Sequence, residues 1–182
     1  MTNMKETGVK WLGKIPSDWN LIKGKYIYKI DCGKKDAGEG SEDGLYPFFT
    51  CSMTPKRIDT FSFDTEALLV AGNGIVGFTQ YYKGKFDAYQ RTYVLDDFSN
   101  EIDIEFLKLY VSNNLTDSVK LKSVGSVIEF IKLEDLKQFE IVYPSLEKQK
   151  MISKFLKEKC EKIDKLIEIL IIWLENAVLI VD

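Results

Sequence analysis

The chain has 182 residues, enough for one domain or one domain with an appendage, and 45% of them are hydrophobic, enough for a real core. It contains no histidine, which removes Ser-His-Asp and Cys-His catalysis, most zinc sites and the usual neutral-pH proton shuttle. The net charge of −3 does not advertise a polyanionic partner, yet phosphate contacts depend on local clusters, and Lys34-Lys35, Lys56-Arg57, Lys83 with Lys85, and Lys120 with Lys122 supply several. The start, Met1 to Lys10, is polar and reads as no secretory signal, and no apolar run is long enough to cross a bilayer. Cys32, Cys51 and Cys160 lack metal or redox spacing, so a reduced, cytoplasmic chain is the expectation.

In chain order, Trp11 to Trp19 places two tryptophans around a Gly and a Pro and predicts a packed, non-regular N-terminal clip. Leu21 to Ile30 predicts a strand or short helix, and Gly33 to Gly44 a loop. The centre predicts short strands at Tyr46 to Ser52, Phe61 to Phe63, Ala67 to Ala71, Val76 to Tyr82 and Tyr89 to Leu95, all rich in aromatic and β-branched residues. Asp103 to Asn113 has helical spacing, Val127 to Ile131 reads as a strand, Leu133 to Phe139 as a helical turn and Phe139 to Val142 as a strand. From Ser145 to about Val181 one long helix is predicted. Its stripe is Ile152, Leu156, Ile163, Leu166, Leu170, Trp173, Ala177 and Ile180, at alternating three- and four-residue steps, broken only by Lys159. The expected fold is α+β. A mixed, largely antiparallel sheet with a few helices occupies residues 1–144, and a coiled-coil helix occupies 145–182.

Two enzyme-like patterns fail on local grounds. Gly72-Asn73-Gly74-Ile75-Val76-Gly77 has dinucleotide spacing, but the fingerprint must open a helix, and Val76 to Tyr82 is β-branched and aromatic; a tight turn between strands is expected instead. Asp59, Asp64 and Glu66 hint at a metal nuclease, but Leu68-Leu69-Val70 stands where its lysine would be. Neither a Walker sequence nor the motifs of an S-adenosylmethionine enzyme are present. The run Tyr89-Gln90-Arg91-Thr92 is different. Gln pairs bidentately with adenine and Arg with guanine, and Thr reaches base edges or the thymine methyl. Lys120 to Ser126 offers cations, hydroxyls and flexible backbone N–H groups suited to phosphate.

Trp11-Leu12-Gly13-Lys14-Ile15-Pro16-Ser17-Asp18-Trp19 resembles the opening of specificity (S) subunits of type I restriction–modification systems. Gly125-Ser126-Val127-Ile128 through Leu136, Ile141, Pro144 and Gln149, then Phe155-Leu156, Ile163-Asp164 and Leu166-Ile167, resembles the close of their target recognition domain running into the conserved helix. The centre, from Tyr46-Pro47-Phe48 through Gly72-Asn73-Gly74 to Tyr89-Gln90-Arg91-Thr92, is similar to one class of these recognition domains. The resemblance implies a non-catalytic reader of double-stranded DNA with no cofactor of its own. Two modification (methyltransferase) subunits would dock on it and restriction subunits would join them; the methyl donor and ATP belong to those partners. Gln90, Arg91 and Thr92, braced by Tyr89, are the expected base readers, with Thr50, Ser52 and Asn73 behind them. Lys34, Lys35, Lys122, Ser123, Gly125 and Ser126 are expected on the DNA backbone.

A family subunit usually carries two recognition domains and two helices, and this chain has one of each. The resemblance implies helices that pair antiparallel, and the broad apolar face of the terminal helix, where Cys160, Ile167, Leu174 and Val181 widen the stripe, predicts a two-fold dimer in that sense. Such a dimer would rebuild the whole subunit and read an inverted repeat. A truncated S-like chain that competes for or scaffolds modification subunits, and a coiled-coil adaptor with an unrelated β domain, stay open as alternatives; a standalone nuclease or methyltransferase is disfavoured.

Overall fold

The computed structural model describes residues 3–122 and 130–178, with backbone alone at 121–122 and 175–178. In chain order the elements are β1 (Met4–Glu6), β2 (Lys14–Pro16), β3 (Asn20–Lys23), β4 (Lys29–Cys32), β5 (Tyr46–Phe49), β6 (Lys56–Ile58), β7 (Phe63–Ala71), β8 (Thr79–Ala88), β9 (Thr92–Asp96), α1 (Ile104–Lys122), α2 (Leu133–Gln138), β10 (Glu140–Tyr143) and α3 (Leu146–Val178). The fold is α+β, as expected. A six-stranded sheet runs β4-β9-β7-β8-β5-β6, and every pairing in it is antiparallel except β5 with β8.

The sheet is built around β7. Its run Ala67-Leu68-Leu69-Val70-Ala71 has no polar alternation because both faces are covered. Leu68 and Val70 join the main core with Leu107, Val111 and Leu115 of α1, Leu136 of α2 and Ile141 of β10. Ala67 and Leu69 turn the other way, into a second core with Phe49, Phe86 and Val94. There Phe86 meets Phe49, Phe63 and Tyr82 with ring centroids 5.6, 5.2 and 5.7 Å apart.

The sequence expectations need five local corrections. The clip expected at Trp11 to Trp19 is not wholly irregular, since β2 lies within it and pairs antiparallel with β1; Trp11 packs as a clip, stacked on Phe139 at 5.9 Å. Residues 21–30 form neither one strand nor one helix: β3 pairs with β10, a 3-10 turn follows at Gly24–Tyr26, and β4 joins the large sheet. β6 was not anticipated, because Lys56-Arg57-Ile58 carries one apolar residue. α1 runs beyond Asn113 to Lys122, so Lys120 and Lys122 sit on a helix and not in a phosphate-binding loop; Lys120 pairs with Asp117 at 3.2 Å. Residues 76–78 belong to the β7–β8 connection, and β8 begins at Thr79. Most of the strand expected at 127–131 lies outside the described residues.

α3 has 33 residues, about 50 Å at 1.5 Å per residue. Its root is fixed by Gln149, which is fully buried. The Gln149 amide N–H group donates to the carbonyls of Glu101 (2.9 Å) and Pro144 (3.0 Å), and its oxygen accepts from the Asp103 N–H (2.8 Å). The Ser153 hydroxyl donates to Asp103 Oδ1 at 2.9 Å, and the same carboxylate oxygen caps α1 by accepting from Phe106 N–H at 2.9 Å. One hydrogen-bonded cluster therefore ties the start of α3 to the start of α1. Beyond it the apolar side of α3 is in solvent, with Leu166 65% and Trp173 74% exposed.

Candidate nucleic-acid interface

Four connections meet at one end of the large sheet, where β8 hands over to β9 through Tyr89-Gln90-Arg91. The turn closes on itself, with Thr92 N–H donating to Tyr89 O at 2.7 Å. On one side Tyr89 N–H donates to Phe49 O at 2.9 Å, where β5 ends. On another, Gln90 N–H donates to Lys35 O at 3.0 Å and Gly33 N–H to Thr92 O at 3.1 Å, which seats the segment after β4. On a third, Gly72 N–H donates to Arg91 O at 2.8 Å, which seats the β7–β8 connection. Cys51 Sγ reaches the same Arg91 carbonyl at 3.3 Å, and Ile75 N–H donates to Cys51 O at 3.3 Å.

Two glycines permit this convergence. A Cβ on Gly33 would lie 2.1 Å from Ala88 O, so the segment after β4 approaches the β8–β9 turn only without a side chain. Gly74 has φ of 61°, and a Cβ there would lie 2.8 Å from Cys51 O. The G-x-G-x-x-G pattern is thus a strand-to-strand connection fitted against its neighbours, as the residues around it implied.

Gln90 and Arg91 are exposed, and neither side chain makes a hydrogen bond or ion pair among the described residues. Asn73 is half-buried beside them, on the connection held by Gly72. Thr50 and Ser52 lie on the adjoining β5–β6 connection, their hydroxyls 2.8 Å apart, with Ser52 also donating to Thr54 O at 2.9 Å. Their hydroxyl protons serve the loop's own shape. Thr92 differs from its neighbours. It is 2% exposed, and its hydroxyl donates to Phe49 O at 3.1 Å. It holds the floor of the turn and does not face outward. Tyr89 is half-buried and braces the turn through its backbone.

The expected backbone-contacting residues divide. Lys35 is in the cluster, tied to Glu39 at 3.2 Å. The hydrogen bond from the Asp36 N–H, and after it the Lys35 contact, hold the Glu39 carboxyl below the usual glutamate range. Lys34 lines a separate cleft with Asp31, Asp64 and Asp96, away from the turn. The side chain of Lys122, and Ser123, Gly125 and Ser126 altogether, lie outside the described residues. Ile131, just beyond that segment, donates its N–H to Gly72 O at 2.8 Å, and Tyr93 hydroxyl donates to Ile131 O at 2.9 Å. Of the two arginines, Arg57 is consumed structurally, donating to Gly44 O and Leu45 O at 2.9 Å each. Sequence reasoning missed Gln149 and Asp103 as the pair that aims α3; a lone buried Gln leaves no pattern to find.

The expected dimer residues divide as well. Ile152 packs partly on the chain's own main core, and Leu156 borders α1. Ile163, Leu166, Leu170 and Trp173 are exposed. The side chain of Ala177 and all of Ile180 lie outside the described residues. Among the described residues no helix is long and apolar enough to cross a membrane, and no cluster of Cys, Asp and Glu could hold a metal ion.

Residues 16–172 match the family model of the type I restriction modification DNA specificity domain, and the chain belongs to that family. It is 37% identical over 155 residues to the type I restriction enzyme EcoDI specificity subunit of Escherichia coli, covering 85% of this chain and 32% of that protein. The chain thus spans about a third of the length of this curated relative. Among solved structures, the type I restriction-modification S subunit of M. genitalium superposes with a TM-score of 0.63 at 23% identity, over 83% of this chain and 42% of that one. The HsdS subunit of Thermoanaerobacter tengcongensis gives 0.65 at 17% identity, over 90% and 41%. These two likenesses establish the fold.

Proposed function

We propose that the chain is the DNA-reading part of a type I restriction–modification complex and that its β8–β9 turn reads bases. One observation carries this: Gln90 and Arg91 present an uncommitted amide and guanidinium on a turn that three other connections hold in place. Groups without internal partners on a rigid mount are what bidentate readout of adenine and guanine needs. Asn73 stands second, Thr50 and Ser52 shape the rim, and Thr92 and Tyr89 support the turn. Lys35 supplies positive charge beside it for phosphate.

In this reading the chain is non-catalytic. It reads one half of a bipartite site in duplex DNA and docks the modification subunits, which in turn bring in the restriction subunits. α3 pairs antiparallel with a second copy, which rebuilds a two-reader subunit, and its length of about 50 Å exceeds one DNA turn of roughly 34 Å. The second reading is a chain that occupies modification subunits without directing them. The deciding experiment copurifies the chain with its modification subunit and maps methylated adenines genome-wide. A single inverted-repeat motif supports the first reading; loss of methylation at all motifs supports the second. Within the first, Arg91→Ala relaxes one position of the selected site and costs about 1–3 kcal/mol of discrimination. An unchanged sequence preference would remove Arg91 from the readout.

A further inference from the structure

Between α1 and α3 lies an open crevice of about 350 Å³ lined by Phe106, Leu109, Tyr110, Asn113, Asn114 and Leu156. We propose that it seats Trp173 of a second copy of this chain, which fixes the register of the helix pair. The inference rests on the antiparallel pairing proposed above and goes beyond it by naming the receptor and the register.

Three observations converge. First, the stripe on α3 is symmetric about a point midway between Asp164 and Lys165. A two-fold axis there sets Ile163 against Leu166, Lys159 against Leu170 and Leu156 against Trp173. A self-complementary pattern is what a pair of identical helices requires. Lys159, the one break in the stripe, is accommodated because its ammonium swings back over the Phe155 ring at 5.3 Å.

Second, Leu156 belongs both to the stripe and to the crevice wall, so the residue that faces it across the axis arrives at the crevice mouth. That residue is Trp173, 74% exposed on a single chain. Phe106 and Tyr110, with ring centroids 6.1 Å apart, form its aromatic wall. The Asn113 and Asn114 amides donate to the Leu109 and Tyr110 carbonyls at 2.8 Å each, so their side-chain oxygens are the acceptors an indole N–H calls for.

Third, Ile169, Leu170, Ile171, Ile172, Trp173 and Leu174 are all exposed and together circle the helix. A helix that is apolar all round is a buried helix, and one facing helix covers only one side of it. In the proposed register α1 of the partner, standing beside the root of its α3, supplies a second neighbour.

The test is disulfide trapping in the full-length chain with Cys32, Cys51 and Cys160 changed to Ser. Positions 156 and 173 are about 25 Å apart on one straight helix, so a bond between them joins two molecules. Leu156→Cys combined with Trp173→Cys is expected to form a covalent dimer under mild oxidation, with linked 156–173 peptides in mass spectrometry and none from either single variant. Asn113→Lys, an exposed change on α1, is expected to weaken the dimer at least tenfold in sedimentation without altering the circular dichroism spectrum. A dimer that links Leu156→Cys to Leu166→Cys instead, one heptad away, overturns the register. A dimer indifferent to Asn113→Lys overturns the crevice. A chain that sediments only as monomer removes the helix pairing itself.

Discussion

The sheet and the terminal helix use apolar residues in opposite ways. In β7 five consecutive apolar residues are buried because α1 covers one face and the Phe49–Phe86 cluster covers the other. In α3 the six residues Ile169 to Leu174 are as apolar, yet every one is exposed. Both runs are wholly apolar, and what differs is whether the described residues supply a neighbour. The sheet is covered by its own chain and α3 is not, so on the proposed pairing a substitution in the sheet should act on folding and one in the helix on association.

The largest effect expected from that contrast is at Phe86. Phe86→Ala opens a cavity under three rings and should cost about 3–5 kcal/mol of unfolding free energy in urea denaturation. Leu166→Ala removes an aliphatic side chain that is 65% exposed, and should move the unfolding free energy of the monomer by less than about 0.5 kcal/mol while loosening the proposed dimer. If both changes cost the same in dilute, monomeric protein, the division between covered sheet and uncovered helix is wrong.

The junction between the two regions comes next. Gln149→Ala leaves the Asp103 N–H and the Glu101 and Pro144 carbonyls without the partner that now joins them. Removing one partner of buried polar groups costs about 1–3 kcal/mol. The loss should be concentrated at the α1–α3 joint, and hydrogen exchange at Asp103 and in the first turns of both helices checks it. Faster exchange across the whole sheet would show that the joint is not a separate element.

How far this organisation is legible in the sequence follows from the same contrast. The repeating stripe of α3 and the unbroken apolar run at 67–71 are both signals local in sequence, and the helix and the strand both form. Residues 89–95 read as one strand, whereas 89–91 form a turn and β9 begins at Thr92; Gln90 and Arg91 stand out by residue type alone. What the residues could not announce was set by distant partners. Thr92 looked like a reader, but Phe49, far away in the chain, takes its hydroxyl inward. Lys34 and Lys35 are neighbours in sequence but face different surroundings, because the Lys35–Tyr89 bridge fixes one and the cleft with Asp31 takes the other. Asn20–Lys23 is a strand only because β10, more than a hundred residues on, pairs with it.

The smallest expected effect tests whether the sheet is finished at the strand end farthest from the turn. Asp96 ends β9, and its Oδ1 is buried without a hydrogen-bond partner among the described residues. Burial pushes its carboxyl above the ordinary aspartate range; Lys29 and a hydrogen bond from Thr65 oppose the rise, and Asp31 and Asp97 add to it. A raised folded-state value means that the folded chain holds this proton more tightly than the unfolded chain does. The ionised group therefore destabilises the fold at neutral pH. The penalty fades as the pH falls through the raised value toward the unfolded one, roughly 3.9. Asp96→Asn keeps the shape and removes the charge, so at pH 7 it should raise the melting temperature by about 1–3 °C, with the gain shrinking across that acid window. A gain that persists undiminished below pH 4 would assign it to the amide's new hydrogen bonds, and the charge at this strand end would then carry no cost.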